Sequence, residues 1–279
     1  MKKYLYLNLI ILSSLFSCQE EVRLELKNME KIPVIEAIWT DRSSVNKVSV
    51  TYSRDFYDTL SNEILSEAEV SITNIQSGNR VEFLFVDHLG HFLPLNNQVA
   101  EIGSRYRLEV KFDGQVYFSE GEMLEPPVLD SVTYAFSEER FFRDEGYYVT
   151  VYGKIPFDRD NYYRVKIIRN DTLLNRRSDY LLFDDTFGTS ILDNGFELGG
   201  FAFEKNDKVK LELYRLNQAP YNYLNQLVNL LFNDGGLFSP PPQNPTSNIY
   251  VENGNGRVGG YFVTSPVLSE TIKIIDEEM

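Results

Sequence analysis

The chain contains a single cysteine, Cys18, which lies close to the first residue and outside the body of the sequence. A disulfide within the chain is therefore excluded, as is a zinc site built from several thiolates. The fold must be stabilised by burial of side chains alone. At 279 residues, the length predicts one large domain or two ordinary ones.

Cys18 ends a segment that has the pattern of a secretory signal peptide. Lys2 and Lys3 form a basic start, residues 4–16 are mostly apolar, and Leu15-Phe16-Ser17-Cys18 forms a cleavage box. A small residue directly before a cysteine favours the lipoprotein type, in which the thiol receives a palmitate-like acyl anchor. We therefore assign residues 1–17 to the signal peptide and lipidation to Cys18. A plain secretory signal remains an alternative, whereas a membrane-spanning helix would need about 20 apolar residues.

Residues 18–31 are charged, lack a strand pattern, and are interpreted as a tether. Gln19, Glu20 and Glu21 resemble the acidic signal that directs Bacteroidota lipoproteins to the outer face of the outer membrane. The alternative is a solvated acidic linker with no sorting role.

The charge excludes two classes of partner. The net charge is −14 at pH 7, and removing the signal peptide takes away two further lysines. Nucleic acids bind through phosphate neutralisation by Lys and Arg, so we expect no nucleic-acid partner. Attachment to anionic lipid through basic patches is disfavoured for the same reason.

Residues 32–125 alternate apolar and polar side chains over short runs, which is typical of half-buried strands. The clearest runs are 47–52, 70–73 and 106–112, and Asp113-Gly114 after the last is typical of a tight hairpin. About seven short strands in this length predict an N-terminal β-sandwich domain, immunoglobulin-like or fibronectin-like.

Pro126-Pro127 interrupts the strand pattern, and we place a domain boundary there. Residues 126–265 predict a second β-rich, sandwich-like domain. It carries one inserted amphipathic helix at 219–233, where apolar residues recur at helical spacing. A last hairpin is predicted from 249–251 and 261–263, and residues 266–279 are expected to form a peripheral tail. The predicted fold class is therefore mainly β.

Gly254-Asn255-Gly256-Arg257-Val258-Gly259 formally matches the dinucleotide fingerprint. That fingerprint requires a following helix, because the pyrophosphate binds at the helix N-terminus. Here the strand-like Tyr261-Phe262-Val263 follows instead. The string therefore predicts a glycine-rich hairpin turn in which Asn253 and Gly254 adopt positive φ angles.

Three other groups could bind a metal or catalyse a reaction, but each has a simpler structural interpretation. His88 and His91 flank a turn and could form a weak metal site. Residues 158–161 lack the glycine and glutamate of a calcium loop and predict a β-turn. Asp184, Asp185 and Asp193 could chelate calcium or act as an acid–base pair, although a solvated loop is favoured. We therefore assign no catalytic, cofactor-binding or metal-binding residue and expect no cofactor.

The order of several short motifs resembles the Bacteroidota lipoproteins grouped as domain-of-unknown-function family 4249. Apart from the lipobox at Cys18, the motifs are Asp130-Ser131-Val132, Tyr162-Tyr163-Arg164, Tyr221-Asn222-Tyr223-Leu224, Ser247-Asn248-Ile249, and Gly254 and Gly256 leading to Gly259-Gly260-Tyr261-Phe262. The resemblance implies a surface lipoprotein made alongside a TonB-dependent outer-membrane receptor. It supplies no ligand and no catalytic residue.

Three tripeptides also resemble the Bacteroidota O-glycosylation signal, which is Asp followed by Ser or Thr and an aliphatic residue. The candidate acceptors are Thr59, Ser131 and Thr172.

The sequence thus predicts a non-enzymatic, lipid-anchored protein on the cell-surface side of the outer membrane. It would assist a TonB-dependent receptor in nutrient uptake and bind that receptor, a glycan, peptide or other nutrient, or both. A structural or adhesive envelope lipoprotein is the alternative, and a hydrolase acting through Asp184 and Asp185 is the third hypothesis.

Overall fold

The computed structural model describes residues 30–54, 61–233, 243–254 and 256–275, without the side chain of Phe187. Cys18 and Thr59, two of the predicted modification sites, lie outside these residues. All the elements given below belong to residues 31–279, which cluster as one unit by their contacts.

The described residues are mainly β, as predicted. The first eight strands are β1 Pro33–Thr40, β2 Lys47–Tyr52, β3 Glu69–Asn74, β4 Arg80–Val86, β5 His91–Pro94, β6 Arg105–Phe112, β7 Gln115–Glu122 and β8 Val128–Ser137. The others are β9 Gly146–Lys154, β10 Tyr162–Arg169, β11 Thr172–Leu173, β12 Leu181–Asp184, β13 Phe196–Glu197, β14 Lys208–Leu216, β15 Tyr250–Val251, β16 Gly259–Ser265 and β17 Val267–Lys273. Within the described ranges, one α-helix, α1, spans Gln218–Leu231.

The largest sheet has nine strands in the order β15-β7-β6-β3-β4-β5-β2-β1-β16. Strand β16 runs parallel to β1, with Gly260 opposite Ile35. Strand β15 pairs with β7, with Tyr250 opposite Phe118. The predicted hairpin between residues 249–251 and 261–263 is therefore wrong, and so is the assignment of both strands to the C-terminal domain. Alternation identified each strand correctly, but it does not specify the partner of a strand.

The remaining strands form two smaller sheets. One has the order β11-β10-β14-β17 with β12 paired to β10, and the other has the order β13-β9-β8. Strand β17 pairs with β14 through its whole length, and Val267 and Ile274 are buried. The prediction of a peripheral tail at 266–279 is therefore wrong for residues 267–274. The buried apolar ends of this segment explain why it docks on the sheet.

Strand alternation divides the apolar side chains into separate clusters. Ile35 and Ala37 on β1 belong to the cluster enclosed by the nine-stranded sheet, whereas Ile38 belongs to a second cluster. The second cluster combines the outer faces of β1, β14 and β16 with α1. The third contains side chains from β9, β10 and β14 and lies between the two smaller sheets. Each fully buried large apolar side chain contributes about 1.5–3 kcal/mol to these cores.

Helix α1 begins one residue earlier and ends two residues earlier than predicted. Its burial is concentrated in the first half, where Tyr221, Tyr223 and Leu224 are buried. Leu231, at the end of the helix, is exposed. Two tyrosines and one leucine therefore anchor the helix, and the apolar stripe predicted from the spacing is buried only in part. In the part of the chain that the structure describes, no helix has the length and apolar character needed to cross a membrane.

Candidate functional site

The glycine directly after the glycine string has a structural role at the edge of the nine-stranded sheet. Gly260 has φ +98°, and a Cβ atom there would lie 1.9 Å from the carbonyl oxygen of Ile35. Only glycine allows β1 and β16 to approach this closely. Gly254 has φ +71°, as predicted for a turn, but Asn253 is not among the residues with positive φ.

An open cleft of about 580 Å³ lies beside this glycine segment. Its lining mixes apolar side chains with exposed backbone and polar groups, including Ile32, Ser53, Tyr223, Asn244, Tyr250 and Arg257. The ring of Tyr250 is 57% exposed and lies 5.8 Å from the ring of Phe118. The guanidinium of Arg107 lies 4.2 Å from the centre of the Phe118 ring, which extends the aromatic surface. Such a cleft has the size and mixed chemistry of a small-ligand site.

A second polar feature lies where β10 and β14 face β1 and β16. The Lys166 ammonium donates a hydrogen bond to the Tyr214 hydroxyl at 3.3 Å, and that hydroxyl donates to Glu212 at 2.7 Å. Lys210 forms an ion pair with the other Glu212 oxygen at 2.7 Å. Burial lowers the pKa of Lys166 to about 8, with Arg164 adding like-charge repulsion. Burial also raises the pKa of the Tyr214 hydroxyl.

Glu36 and Arg164 lie on opposite sides of this inter-sheet recess. Burial raises the pKa of the Glu36 carboxyl, although the positive charges of Lys47 and Arg164 partly oppose the shift. The carboxylate is accessible to solvent, so the raised pKa reflects a concave, crowded setting and not full enclosure. Among the described residues, neither side chain has an ion pair within 4.0 Å. Burial raises the pKa of the Tyr223 and Tyr261 hydroxyls, and the negative charge of Glu36 adds to both shifts.

Sequence reasoning missed Glu36, Arg164 and Lys166. Each occupies the polar position of an alternating strand, which usually faces solvent. Here that face of β10 is covered by a second sheet, and no local pattern in the sequence signals the covering. The adjacent tyrosines were the only available sign of a buried polar face.

The loop at residues 158–161 is organised around a buried arginine. The Arg215 guanidinium donates to the carbonyl oxygens of Arg159, Asp160 and Glu125 at 2.9–3.0 Å. It also stacks 3.5 Å from the centre of the Phe157 ring. Two carbonyl oxygens of this loop are therefore bound by a guanidinium of the same chain.

The predicted aspartates are not brought together into a metal site. Asp184 accepts the backbone N–H of Thr186 at 3.0 Å and the Tyr221 hydroxyl at 3.2 Å. The pKa of Asp184 is lowered, mainly by a hydrogen bond from the Thr186 side chain and further by the Thr186 backbone N–H and the Tyr221 hydroxyl. A lowered pKa suits a turn-stabilising carboxylate and not a general acid. Over the described ranges, no three His, Cys, Asp or Glu side chains, Asp185 and Asp193 included, group as metal ligands.

The two histidines and the two remaining glycosylation candidates lie at the surface or near it. His88 is exposed, and His91 is partly buried at the start of β5, where burial lowers its pKa. Ser131 is exposed on β8, next to an irregularity in its pairing with β9. Thr172 is exposed directly after Asp171, whose φ of +63° places it in a tight turn. Both hydroxyls are therefore accessible to a modifying enzyme.

Comparison with known proteins places the chain in a family. No curated protein matches the sequence. A solved structure of the chicken interferon gamma receptor alpha chain is similar at 11% identity, covering 67% of this chain and 89% of that chain with a TM-score of 0.18. The family described as "Domain of unknown function (DUF4249)" matches residues 19–271. Since the match covers nearly the whole chain, the protein belongs to the DUF4249 family.

Proposed function

We propose that the protein is an outer-membrane lipoprotein, anchored at Cys18 and exposed at the cell surface, that binds a TonB-dependent receptor, a nutrient, or both, without catalysing a reaction. The observation that carries the proposal is the lipobox at Cys18. The family match begins at the next residue, as expected if everything before Cys18 is removed. Stable anchoring by acyl chains takes more than one chain, which lipoproteins supply at a single cysteine.

The cleft beside the glycine segment is the proposed ligand site. Glycan and peptide ligands present both apolar faces and hydrogen-bonding groups, and the cleft offers Tyr250, Arg257 and exposed backbone to them. The nearby Phe118 ring extends the surface for stacking.

We also propose that the β-rich architecture is a pair of immunoglobulin-like sandwiches with α1 associated with the second. The apolar cluster enclosed by the nine-stranded sheet supports the first sandwich. The cluster between the two smaller sheets supports the second. Layers of strands that share an apolar core are the defining feature of this architecture.

Gentle solubilisation of outer membranes followed by affinity purification tests the proposed partnership. We expect one TonB-dependent receptor to co-purify in stable ratio with the wild-type protein. A Tyr250→Ala, Arg257→Ala variant should retain the receptor and lose nutrient binding, whereas Asn253→Ala at an exposed position nearby should change neither. If no receptor accompanies the wild-type protein and deletion alters only adhesion or envelope integrity, the structural alternative is correct.

A further inference from the structure

The hairpin between β8 and β9 carries two phenylalanines at its tip that contact almost nothing else in the described residues. Phe141 is 89% exposed and Phe142 is 96% exposed. Their ring centres lie 4.2 Å apart, so each ring mainly covers part of the other. Exposed apolar side chains are ordinary when scattered, but an adjacent protruding pair marks an interaction site.

The backbone at the tip makes the presence of phenylalanine costly. Arg140 and Arg143 each donate a backbone hydrogen bond to the other, at 2.9 and 3.0 Å, leaving Phe141 and Phe142 as the two loop residues. Phe142 has φ +69°, a conformation that turns normally give to Gly or Asn. A bulky residue in this region is a true outlier. Folding alone therefore does not explain the aromatic ring at this position.

The stem below the tip is rigid. The Arg143 guanidinium donates two hydrogen bonds to the Glu197 carboxylate, at 2.8 and 3.2 Å, and stacks 3.6 Å from the centre of the Tyr148 ring. The Tyr148 hydroxyl in turn donates to the carbonyl oxygen of Asp144 at 2.7 Å. These contacts hold the tip in one position before any partner arrives, which lowers the entropic cost of binding.

The charges around the tip indicate the kind of partner. Four exposed carboxylates, Glu138, Glu139, Asp144 and Glu145, flank the two phenylalanines in the sequence. Of the two arginines next to the rings, Arg143 is paired with Glu197 and Arg140 is exposed, so the tip carries a net negative charge. Anionic lipid headgroups would be repelled by this rim, whereas membrane-surface segments are usually basic. A second copy of this acidic chain, with net charge −14, would be repelled as well. A basic surface on another protein complements the rim.

We propose that Phe141 and Phe142 dock into an apolar pocket with a basic rim on a partner protein. Aromatic side chains that enter a desolvated pocket commonly dominate the binding energy of an interface. The acidic rim steers the approach and fixes the orientation. The proposal rests on the hairpin alone and does not depend on whether the partner is a TonB-dependent receptor.

Site-specific photocrosslinking in intact cells tests the proposal. The photoreactive amino acid p-benzoylphenylalanine replaces Phe142 in the full-length protein, and in a control it replaces Leu84, which is 56% exposed on β4. We expect one discrete protein adduct from position 142 and none of the same mass from position 84. An adduct with lipid, an adduct of twice the chain mass, or no adduct at position 142 would each overturn the proposal.

Two variants show whether the adduct reports the proposed chemistry. With the probe at position 142, Phe141→Ser should reduce the adduct yield, and the Glu138→Lys, Glu139→Lys pair should reduce it about tenfold, as should high salt. Because the substituted positions are exposed, we expect the fold of these variants to be unchanged, and circular dichroism checks this. An adduct yield that is the same in both variants as in the unsubstituted protein would contradict the docking geometry.

Discussion

The side-chain amide of Asn248 pairs with the backbone of Phe262 as if it were a neighbouring strand. Its nitrogen donates to the Phe262 carbonyl oxygen at 2.9 Å, and its oxygen accepts the Phe262 N–H at 2.9 Å. Nearby, Ser119 donates to the Asn248 carbonyl oxygen at 2.6 Å, which links the residue to β7. One buried amide thus satisfies backbone groups between the two ends of the nine-stranded sheet, which are not paired with each other in the described residues.

Replacing Asn248 should therefore be costly. Asn248→Leu leaves the N–H and carbonyl of Phe262 without partners in a buried setting, and each such group costs about 1–3 kcal/mol. We expect the free energy of unfolding to fall by about 2–6 kcal/mol in urea titrations. Asn253→Ala, at an exposed position nearby, is the control and should change it by less than about 0.5 kcal/mol.

Gly260 tests the parallel pairing of β1 with β16. In Gly260→Ala the new methyl group would overlap the Ile35 carbonyl, so we expect a loss of about 3 kcal/mol or more, or failure to fold. Gly200→Ala is the matched control, because nothing lies within 4 Å of its added Cβ. Equal melting temperatures for the two variants would show that β16 does not pack against β1 in this way.

The tip of the β8–β9 hairpin should gain stability when its strain is removed. Phe142→Gly relieves the positive φ and removes a ring that makes little contact, so we expect a gain of about 0.5–1 kcal/mol in chemical denaturation. Phe141→Gly adds freedom to the unfolded chain without relieving a positive φ, and it should lower stability. If Phe142→Gly proved less stable than the wild type, the left-handed conformation at this residue would be wrong.

Lys166 should make stability depend on pH in the alkaline range. Below about pH 8 the ammonium is protonated in both states and the folded state bears the cost of its burial. Between about pH 8 and the ordinary value of 10.5, the unfolded chain binds more protons, so this lysine destabilises the fold less as pH rises.

Lys166→Met should consequently raise the melting temperature at pH 7, and the gain should shrink as pH rises towards 10.5. Lys154→Met, at an exposed position at the end of β9, is the control and should show no such trend. A gain that is constant with pH would mean that the Lys166 charge is well solvated in the folded protein.

Local patterns predicted the elements of this fold far better than their partners. Residues 47–52 and 106–112 alternate clearly, and both are strands at the predicted positions. The pairing of β1 with β16 joins segments more than 200 residues apart, and nothing in either segment identifies the other. The recess around Glu36 and Arg164 depends on the same long-range arrangement, so it could not be predicted. The strand that follows the glycine string was predicted correctly, but the hairpin turn predicted for the string was wrong, because β15 and β16 pair with different strands.

The lipid anchor is the central claim, and metabolic labelling with an alkyne fatty acid tests it most directly. Cells producing the wild-type chain or Cys18→Ser are labelled, fractionated and exposed to protease while intact. We predict that the wild-type protein is labelled, sediments with outer membranes and is cleaved from outside, whereas Cys18→Ser is unlabelled and released from the membrane. Equal labelling of both proteins, or a wild-type protein without label, would contradict the account.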